Sequence, residues 1–270
     1  FFHAKLTNEI LKNNEIDLVG FHGQTILHNS EERISRQLGD GNLLSQLTKK
    51  NIVYDFRQND IKNGGEGAPL TPIFHQLILK QNKIEVPSCI LNIGGISNVT
   101  IVGNYFPFHF TSRDIGPGNC LIDSWVRKNS NQKFDKDGKL AFIGKTNEII
   151  LEQAQELYSN RPNQKTLSLD VNDFDVSFAR GLSLEDGTAT LTDFTGRIIG
   201  AALFTLLSDV REKIFRVLVC GGGRKNKTLL NKIKNRTLKN LVLQPIDDYG
   251  VDGDFVESQA FAYLAIRTLI

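Results

Sequence analysis

The chain has 270 residues, 40% of them hydrophobic and 23% charged, with a formal net charge of +2. That much apolar material supports a large core divided between two lobes, while near-neutrality gives no domain-wide basic surface for nucleic acid. No apolar run reaches the roughly 18 residues a membrane span needs, and Cys89, Cys120 and Cys220 show no paired zinc or disulfide spacing, which fits a reducing cytoplasm.

In chain order, an amphipathic helix is predicted ahead of the short strand Asp17 to Phe21, which ends at His22-Gly23-Gln24-Thr25. Ile52 to Phe56 reads as another strand. The polar, glycine-rich stretch Arg57 to Pro69 reads as a long loop of the kind that commonly carries function. Cys89 to Ile93 turns at Gly94-Gly95 into Asn98 to Val102, which makes this unit a hairpin. Asp114 follows the aromatic run Phe106 to Phe110 and precedes Gly116-Pro117-Gly118-Asn119, ahead of a helix over Leu121 to Trp125. Asp135-Lys136-Asp137-Gly138 is read as an Asp-rich turn, because the glutamate of a calcium loop is missing at the required spacing.

Further on, the strand ending at Cys220 passes through Gly221 to Gly223 into a helix from Asn226 through Ile233. The lysines from Lys225 to Lys234, like Thr48-Lys49-Lys50, are read as solvated helix faces. A long apolar helix, Phe255 to Ile270, closes the chain, and Glu257 stands near its start, where an acid often merely complements the helix dipole. Hairpins mixed with strand-to-helix units make the fold class α/β.

Three segments carry the chemistry: Ile93-Gly94-Gly95-Ile96-Ser97-Asn98, Asp114-Ile115-Gly116-Pro117-Gly118-Asn119, and Cys220-Gly221-Gly222-Gly223-Arg224-Lys225-Asn226. Strand ends without side chains let backbone amides approach phosphate oxygens, so nucleotide binding is the first hypothesis, against tight turns as the plain alternative. The third segment lacks the last glycine of a dinucleotide fingerprint, and no segment supplies a P-loop. Asp114, at a strand-to-helix junction, reads either as a cleft acid beside a phosphate-attracting helix N-terminus or as a turn-capping residue.

These segments, with Gly253-Asp254-Phe255-Val256-Glu257-Ser258-Gln259-Ala260-Phe261-Ala262, resemble in order the signature series of the anhydro-N-acetylmuramic acid kinases. The likeness extends upstream through His22 to Thr25, Gly39 to Asn42, Asp55 to Asp60 and Gly64 to Pro69. It implies a two-lobed actin-like ATPase with ribonuclease H-like lobes and ATP in the interlobe cleft. The first lobe would comprise residues 1–82 and the second 83–270, with the final helix near the lobe interface. The implied reaction opens the anhydro ring with water and phosphorylates O6, giving N-acetylmuramic acid 6-phosphate and ADP in peptidoglycan recycling.

Carried over by position, the resemblance implies that Asp114 is the catalytic base. Gly94, Gly95, Asn98, Gly116, Gly118, Asn119, Gly221, Gly222, Gly223, Asn226 and Glu257 would serve the nucleotide, Glu257 also Mg²⁺, and Arg57, Asp60 and Glu66 the sugar. The implied ligands are ATP, Mg²⁺ and anhydro-N-acetylmuramic acid, with no nucleic acid or membrane partner and a homodimer among the expectations. Phosphoryl transfer needs positioning and charge neutralisation, which glycine amides and a magnesium ion supply. An ordinary aspartate, with a pKa near ~4, is ionised at neutral pH and can take a proton from water.

The family's opening Gly-Thr-Ser-x-Asp-Gly segment and its closing Thr-Gly-rich segment have no counterpart, and neither methionine nor an initiator occurs. The expectation is therefore a truncated chain without kinase activity of its own. The usual Lys-Ser-Thr-Gly-Arg appears as Lys165-Thr166-Leu167-Ser168-Leu169-Asp170, without the Gly-Arg pair. Another sugar or acetate-type kinase of the same fold, and a non-catalytic nucleotide-binding relative, are the alternative readings.

Overall fold

In the computed structural model, residues 1–29, 32–104, 109–160, 169–209 and 214–270 are described. They divide into two compact units, one comprising Phe1–Leu77 with Glu257–Ile270 and the other Ile78–Val256. The sequence reading placed a boundary at 82/83 and kept the last helix with the second lobe; the contacts divide the chain inside a helix and group that last helix with the first unit.

The first unit opens with α1 (Phe2–Leu11), followed by β1 (Leu18–Phe21), β2 (Gln24–Asn29), β3 (Ile34–Leu38), α2 (Gly41–Thr48), β4 (Asn51–Tyr54) and α3 (Phe56–Lys62). α4 (Pro72–Gln81) carries the chain across the boundary. β1 runs parallel to β4, with Leu18 opposite Asn51, while β2 and β3 form an antiparallel ribbon with an irregularity between Thr25 and Leu27. α2 starts where it does because Asp40 accepts from the Leu43 N–H at 2.9 Å, satisfying one of the orphan donors of the first turn.

The loop expected over Arg57 to Pro69 is half helix. Asp55, in the left-handed region at φ 62°, turns the chain, and α3 then buries Ile61. A glycine-rich composition hid a helix of only two turns, because the glycines all lie beyond Lys62.

The second unit is built on β5 (Ser88–Ile93), β6 (Ile96–Asn104), β7 (His109–Pro117), α5 (Cys120–Asn129), α6 (Lys139–Ile143), α7 (Glu148–Ser159), α8 (Leu184–Leu206), β8 (Phe215–Cys220), α9 (Lys227–Lys234) and β9 (Leu241–Pro245). The sheet order is β7-β6-β5-β8-β9, with β6 antiparallel to both neighbours and β8 and β9 parallel to β5. A hairpin meander extended by parallel crossover strands is the ribonuclease H-like lobe that the resemblance implies. Near-continuous apolar runs in β5 and β8, buried on both faces, are what central strands of such a sheet require.

Helix α8 covers the sheet, its start fixed by Ser183 accepting from the Asp186 N–H. Gly187 lets Trp125 lie against the helix: a Cβ there would stand 2.2 Å from Trp125 Cε2, and the indole N–H donates to Leu184 O at 3.1 Å. One face of α8 is charged. The buried carboxylate of Asp193 is gripped by Arg197 at 3.1 Å and by Lys232 of α9, and Arg197 reaches Glu148 of α7 at 2.7 Å. Lys232, expected on a solvated face, instead ties α9 to α8.

The final helix, α10 (Val256–Arg267), joins the first unit, where the backbone of β1 at Gly20 approaches the Phe261 carbonyl so closely that a Cβ would be 2.6 Å from that oxygen. Among the described residues no helix is long and apolar enough to cross a membrane.

Candidate functional site

The three segments of the second unit meet at the ends of β5, β7 and β8. Between Ser97 and Asn98 the β6–β7 register slips, so that Ser97 faces Gly116 and Asn98 faces Asp114, leaving Ile115 as the extra residue of a bulge. A bulge turns its strand and re-aims the flanking side chain, and here that side chain is the half-buried Asp114. Its Oδ2 accepts from the Leu169 N–H at 2.8 Å.

The turn at Gly94-Gly95 and the start of α5 are laced together. Gly118 N–H and Cys120 N–H donate to Gly95 O at 2.9 and 3.1 Å, and Asn119 N–H donates to Gly94 O at 2.7 Å. The amides of Gly118, Asn119 and Cys120 at this junction are therefore spent on holding the turn at Gly94-Gly95. The Asn119 carboxamide, at 3.3 Å from Ile93 O, braces the same turn.

The glycines separate into two groups by what a Cβ would meet. On Gly118 it would lie 2.3 Å from Gly94 O, on Gly223 2.2 Å from Ile93 Cγ2, and on Gly116 2.5 Å from Ile198 Cγ2, so packing demands glycine at these positions. Gly221 is doubly constrained, by φ +78° and by Asn92 Oδ1 at 2.5 Å. Gly94, Gly95 and Gly222 are different: a Cβ would find its nearest neighbour at 3.5, 3.4 and 3.8 Å, and none has a left-handed φ. Neither packing nor backbone conformation explains the missing side chains there, whereas a ligand that approaches the backbone does.

Two asparagines complete the geometry. Asn98 Oδ1 is buried with no hydrogen-bond partner among the described residues, an acceptor of the kind that marks an unfilled polar site. Asn226 is occupied otherwise, capping α9 by accepting from the Leu229 N–H at 2.9 Å.

Sequence reasoning missed Arg224. Its side chain, 5% exposed, sits behind the triple glycine and closes on Asp247 through Nε at 2.7 Å and Nη2 at 2.9 Å, while Nη1 reaches Asp254 at 2.6 Å and Gly221 O at 3.1 Å. The Gly221 N–H donates back to Gly253 O at 3.0 Å. The bond to Asp247 raises the Arg224 pKa against the opposing effect of burial, the bond to Asp254 adds to it and Arg224 stays cationic, while Arg224 and then Lys225 pull Asp254 down to about 2. An arginine inside the glycine turn, with Asp247, Asp248, Asp252 and Asp254 downstream, was the available signal.

The residues expected to meet the sugar lie in the first unit. Arg57 donates to His22 Nε2 at 2.8 Å and to Gly67 O at 2.9 Å, and Asp60 Oδ2 accepts from the Gly67 N–H at 2.8 Å. His22 Nδ1 stands 2.9 Å from Gly23 O, which fits the Nδ1–H tautomer with Nε2 accepting from Arg57. Burial and then the Arg57 charge lower the pKa of His22 and keep it neutral. Arg57 and Asp60 thus shape the loop through Gly67, and Glu66 is exposed beside them. Glu257, exposed in the first turn of α10, belongs to the same unit. Among the described residues no group of three or more His, Cys, Asp or Glu could hold a metal by itself. Lys165 to Ser168 and Phe106 to Pro107-Phe108 fall outside the described residues.

The family model for anhydro-N-acetylmuramic acid kinase matches residues 2–270. The chain belongs to the anhydro-N-acetylmuramic acid kinase family. A relative of that name from Pelagibacter ubique is 56% identical over 100% of this chain and 72% of its own length. Those from Zymomonas mobilis and Methylobacterium nodulans are 38% and 39% identical over 97% and 98% of this chain and 69% and 70% of theirs. Among solved structures, the activator of 2-hydroxyisocaproyl-CoA dehydratase from Clostridium difficile with bound ADPNP aligns over 93% of each chain at 11% identity, with a TM-score of 0.45.

Proposed function

We propose that this member of the kinase family uses ATP and water to convert 1,6-anhydro-N-acetylmuramic acid into N-acetylmuramic acid 6-phosphate and ADP. The observation that carries the reading is the set of open glycines, Gly94, Gly95 and Gly222, together with the half-buried carboxylate of Asp114.

In this reading Asp114 accepts a proton from a water whose oxygen bonds to the anomeric carbon. The bond from that carbon to O6 breaks, O6 takes the γ-phosphoryl group of ATP, and the proton passes from Asp114 to solvent. Bound ATP supplies the transferable phosphoryl group, and Mg²⁺ neutralises charge on its oxygens. Gly94 and Gly95 would let the phosphates approach the backbone, with Asn98 donating to them through Nδ2, and Gly221 to Gly223 would hold the adenosine, with Gly222 the point of closest approach. Glu257 is the carboxylate that would hold Mg²⁺, which would neutralise charge on the phosphate oxygens. The loop from Arg57 to Glu66 would receive the sugar, its acids and guanidinium matched to hydroxyl and carboxylate groups.

The test is ADP release by the full-length protein with anhydro-N-acetylmuramic acid, glucose and N-acetylglucosamine as acceptors. Turnover confined to the anhydro sugar, with one atom of labelled water oxygen per product, supports the reading. Turnover on the simple hexoses makes it a different sugar kinase, and ATP binding without turnover on any of them contradicts catalysis.

A further inference from the structure

Asp114 is held from outside the glycine segments. The bond from Leu169 N–H to its Oδ2, at 2.8 Å, spans 55 positions of sequence. Leu169 immediately precedes a turn knitted by its own acids: Asp170 Oδ1 accepts from Asn172 N–H at 2.9 Å, and Asp173 Oδ2 accepts from Asp170 N–H at 2.7 Å. The same turn lies over the glycine pair, since the nearest neighbour of a Cβ on Gly95 would be Val171 Cγ1 at 3.4 Å. One short segment therefore touches both the acid and the open turn beside it.

We propose that the backbone amide of Leu169 is the positioning donor for the general base, an inference that rests on the assignment of Asp114 as that base. A base must be ionised at working pH and turned toward the water. An N–H bonded to a carboxylate oxygen does both: it favours the charged form and selects one rotamer of the side chain. Only the backbone donor is needed, so any residue except proline can stand at 169. The side chain at 169 is therefore free to vary, because the contact to Asp114 is made by an atom that every non-proline residue has.

The test is the pH profile of kcat/KM in the full-length protein, whose acidic limb reports the essential base of the free enzyme. An amide-to-ester replacement at 169, with 2-hydroxy-4-methylpentanoic acid in place of leucine, removes the donor and keeps the side chain. Leu169→Pro removes it by ordinary mutagenesis, and Leu169→Ala retains it. Since two or three such bonds can depress a carboxylate by about two pH units, losing one should raise the acidic limb by about one unit in the ester and proline variants and leave it in place in Leu169→Ala. A merely structural role would change rate or KM at every pH without moving the limb.

If the proline variant is unstable, the ester variant decides. An ester variant whose limb coincides with that of the unmodified protein overturns the proposal. Asp114→Asn separates the two levels: normal turnover in that variant removes the base assignment and the proposal with it. An inactive Asp114→Asn beside an unmoved ester limb removes only the role of Leu169.

Discussion

The guanidinium of Arg224 and the carboxylate of Asp247 face each other across two hydrogen bonds of 2.7 and 2.9 Å, fork to fork, while the same guanidinium holds the Gly221 carbonyl of the glycine turn. The pair makes the loop from Asp247 to Asp254 the back wall of the glycine turn. Gly253 is part of the same fit, because a Cβ there would stand 2.4 Å from Arg224 Nε.

Arg224→Ala should therefore loosen the adenosine segment. The carboxylates of Asp247 and Asp254 are 41% and 40% exposed, so water takes over part of the lost pairing and the stability loss should be about 1–3 kcal/mol, below the range for a fully buried pair. ATP affinity should fall while the acidic limb of kcat/KM stays in place. Calorimetric titration with ATP beside thermal melts measures both, and an unchanged affinity would detach Arg224 from the site.

Gly222→Val and Gly223→Val should separate ligand contact from packing. Among the described residues valine at 222 meets no atom nearer than 3.8 Å at its Cβ, so the protein should melt normally yet bind ATP about tenfold or more weakly, as a side chain fills the approach of the ligand. Valine at 223 collides with Ile93 and should destabilise by about 1–3 kcal/mol. Normal ATP affinity in a folded Gly222→Val protein would make the triple glycine a turn and nothing more.

Asp193→Asn should cost about 2–4 kcal/mol, because it strands Lys232 and Arg197 against α8. Burial raises the Asp193 pKa, but Lys232 and Arg197 outweigh it and the net shift is downward. A depressed carboxylate contributes stability that is present above its unfolded pKa and lost as pH falls through the folded one. The loss should accordingly be read below about pH 4, and the stability gap between Asp193→Asn and the parent protein in denaturant melts should be smaller at pH 3 than at pH 7.

His75 sets a different window. Burial lowers its pKa from 6.5 to about 4, so between those values the unfolded chain binds a proton that the folded chain refuses. Stability is full above about pH 6.5 and falls as the medium is acidified toward pH 4, by on the order of 3 kcal/mol. His22 and His28 shift in the same direction, each through burial first and Arg57 second, so His75→Gln should flatten the slope without abolishing it. An identical slope in both proteins between pH 7 and pH 5 would refute the attribution.

The hairpin at Gly94-Gly95, the helix after Asn119 and the helix capped by Asn226 were legible because each is written in local terms: strand, glycine, strand or cap. α3 was not, since the glycines beyond it dominated the composition of Arg57 to Pro69. Which glycines face open space could not be read either; Gly222 and Gly223 are neighbours in sequence and opposite in environment. The bulge at Ile115, the bond from Leu169 and the closure of Arg224 on Asp247 join residues far apart in the chain, and no local pattern encodes such pairings. Lys232 was misread for the same reason: its partner, Asp193, stands 39 positions away.

The most direct measurement is turnover of anhydro-N-acetylmuramic acid by full-length Asp114→Asn, with ATP affinity determined on the same preparation. The carboxamide keeps the shape of the side chain but cannot take a proton. Turnover should fall about 10²- to 10⁴-fold while the dissociation constant for ATP stays within about threefold. Near-normal turnover in a variant that binds ATP normally would contradict the central claim that Asp114 is the base.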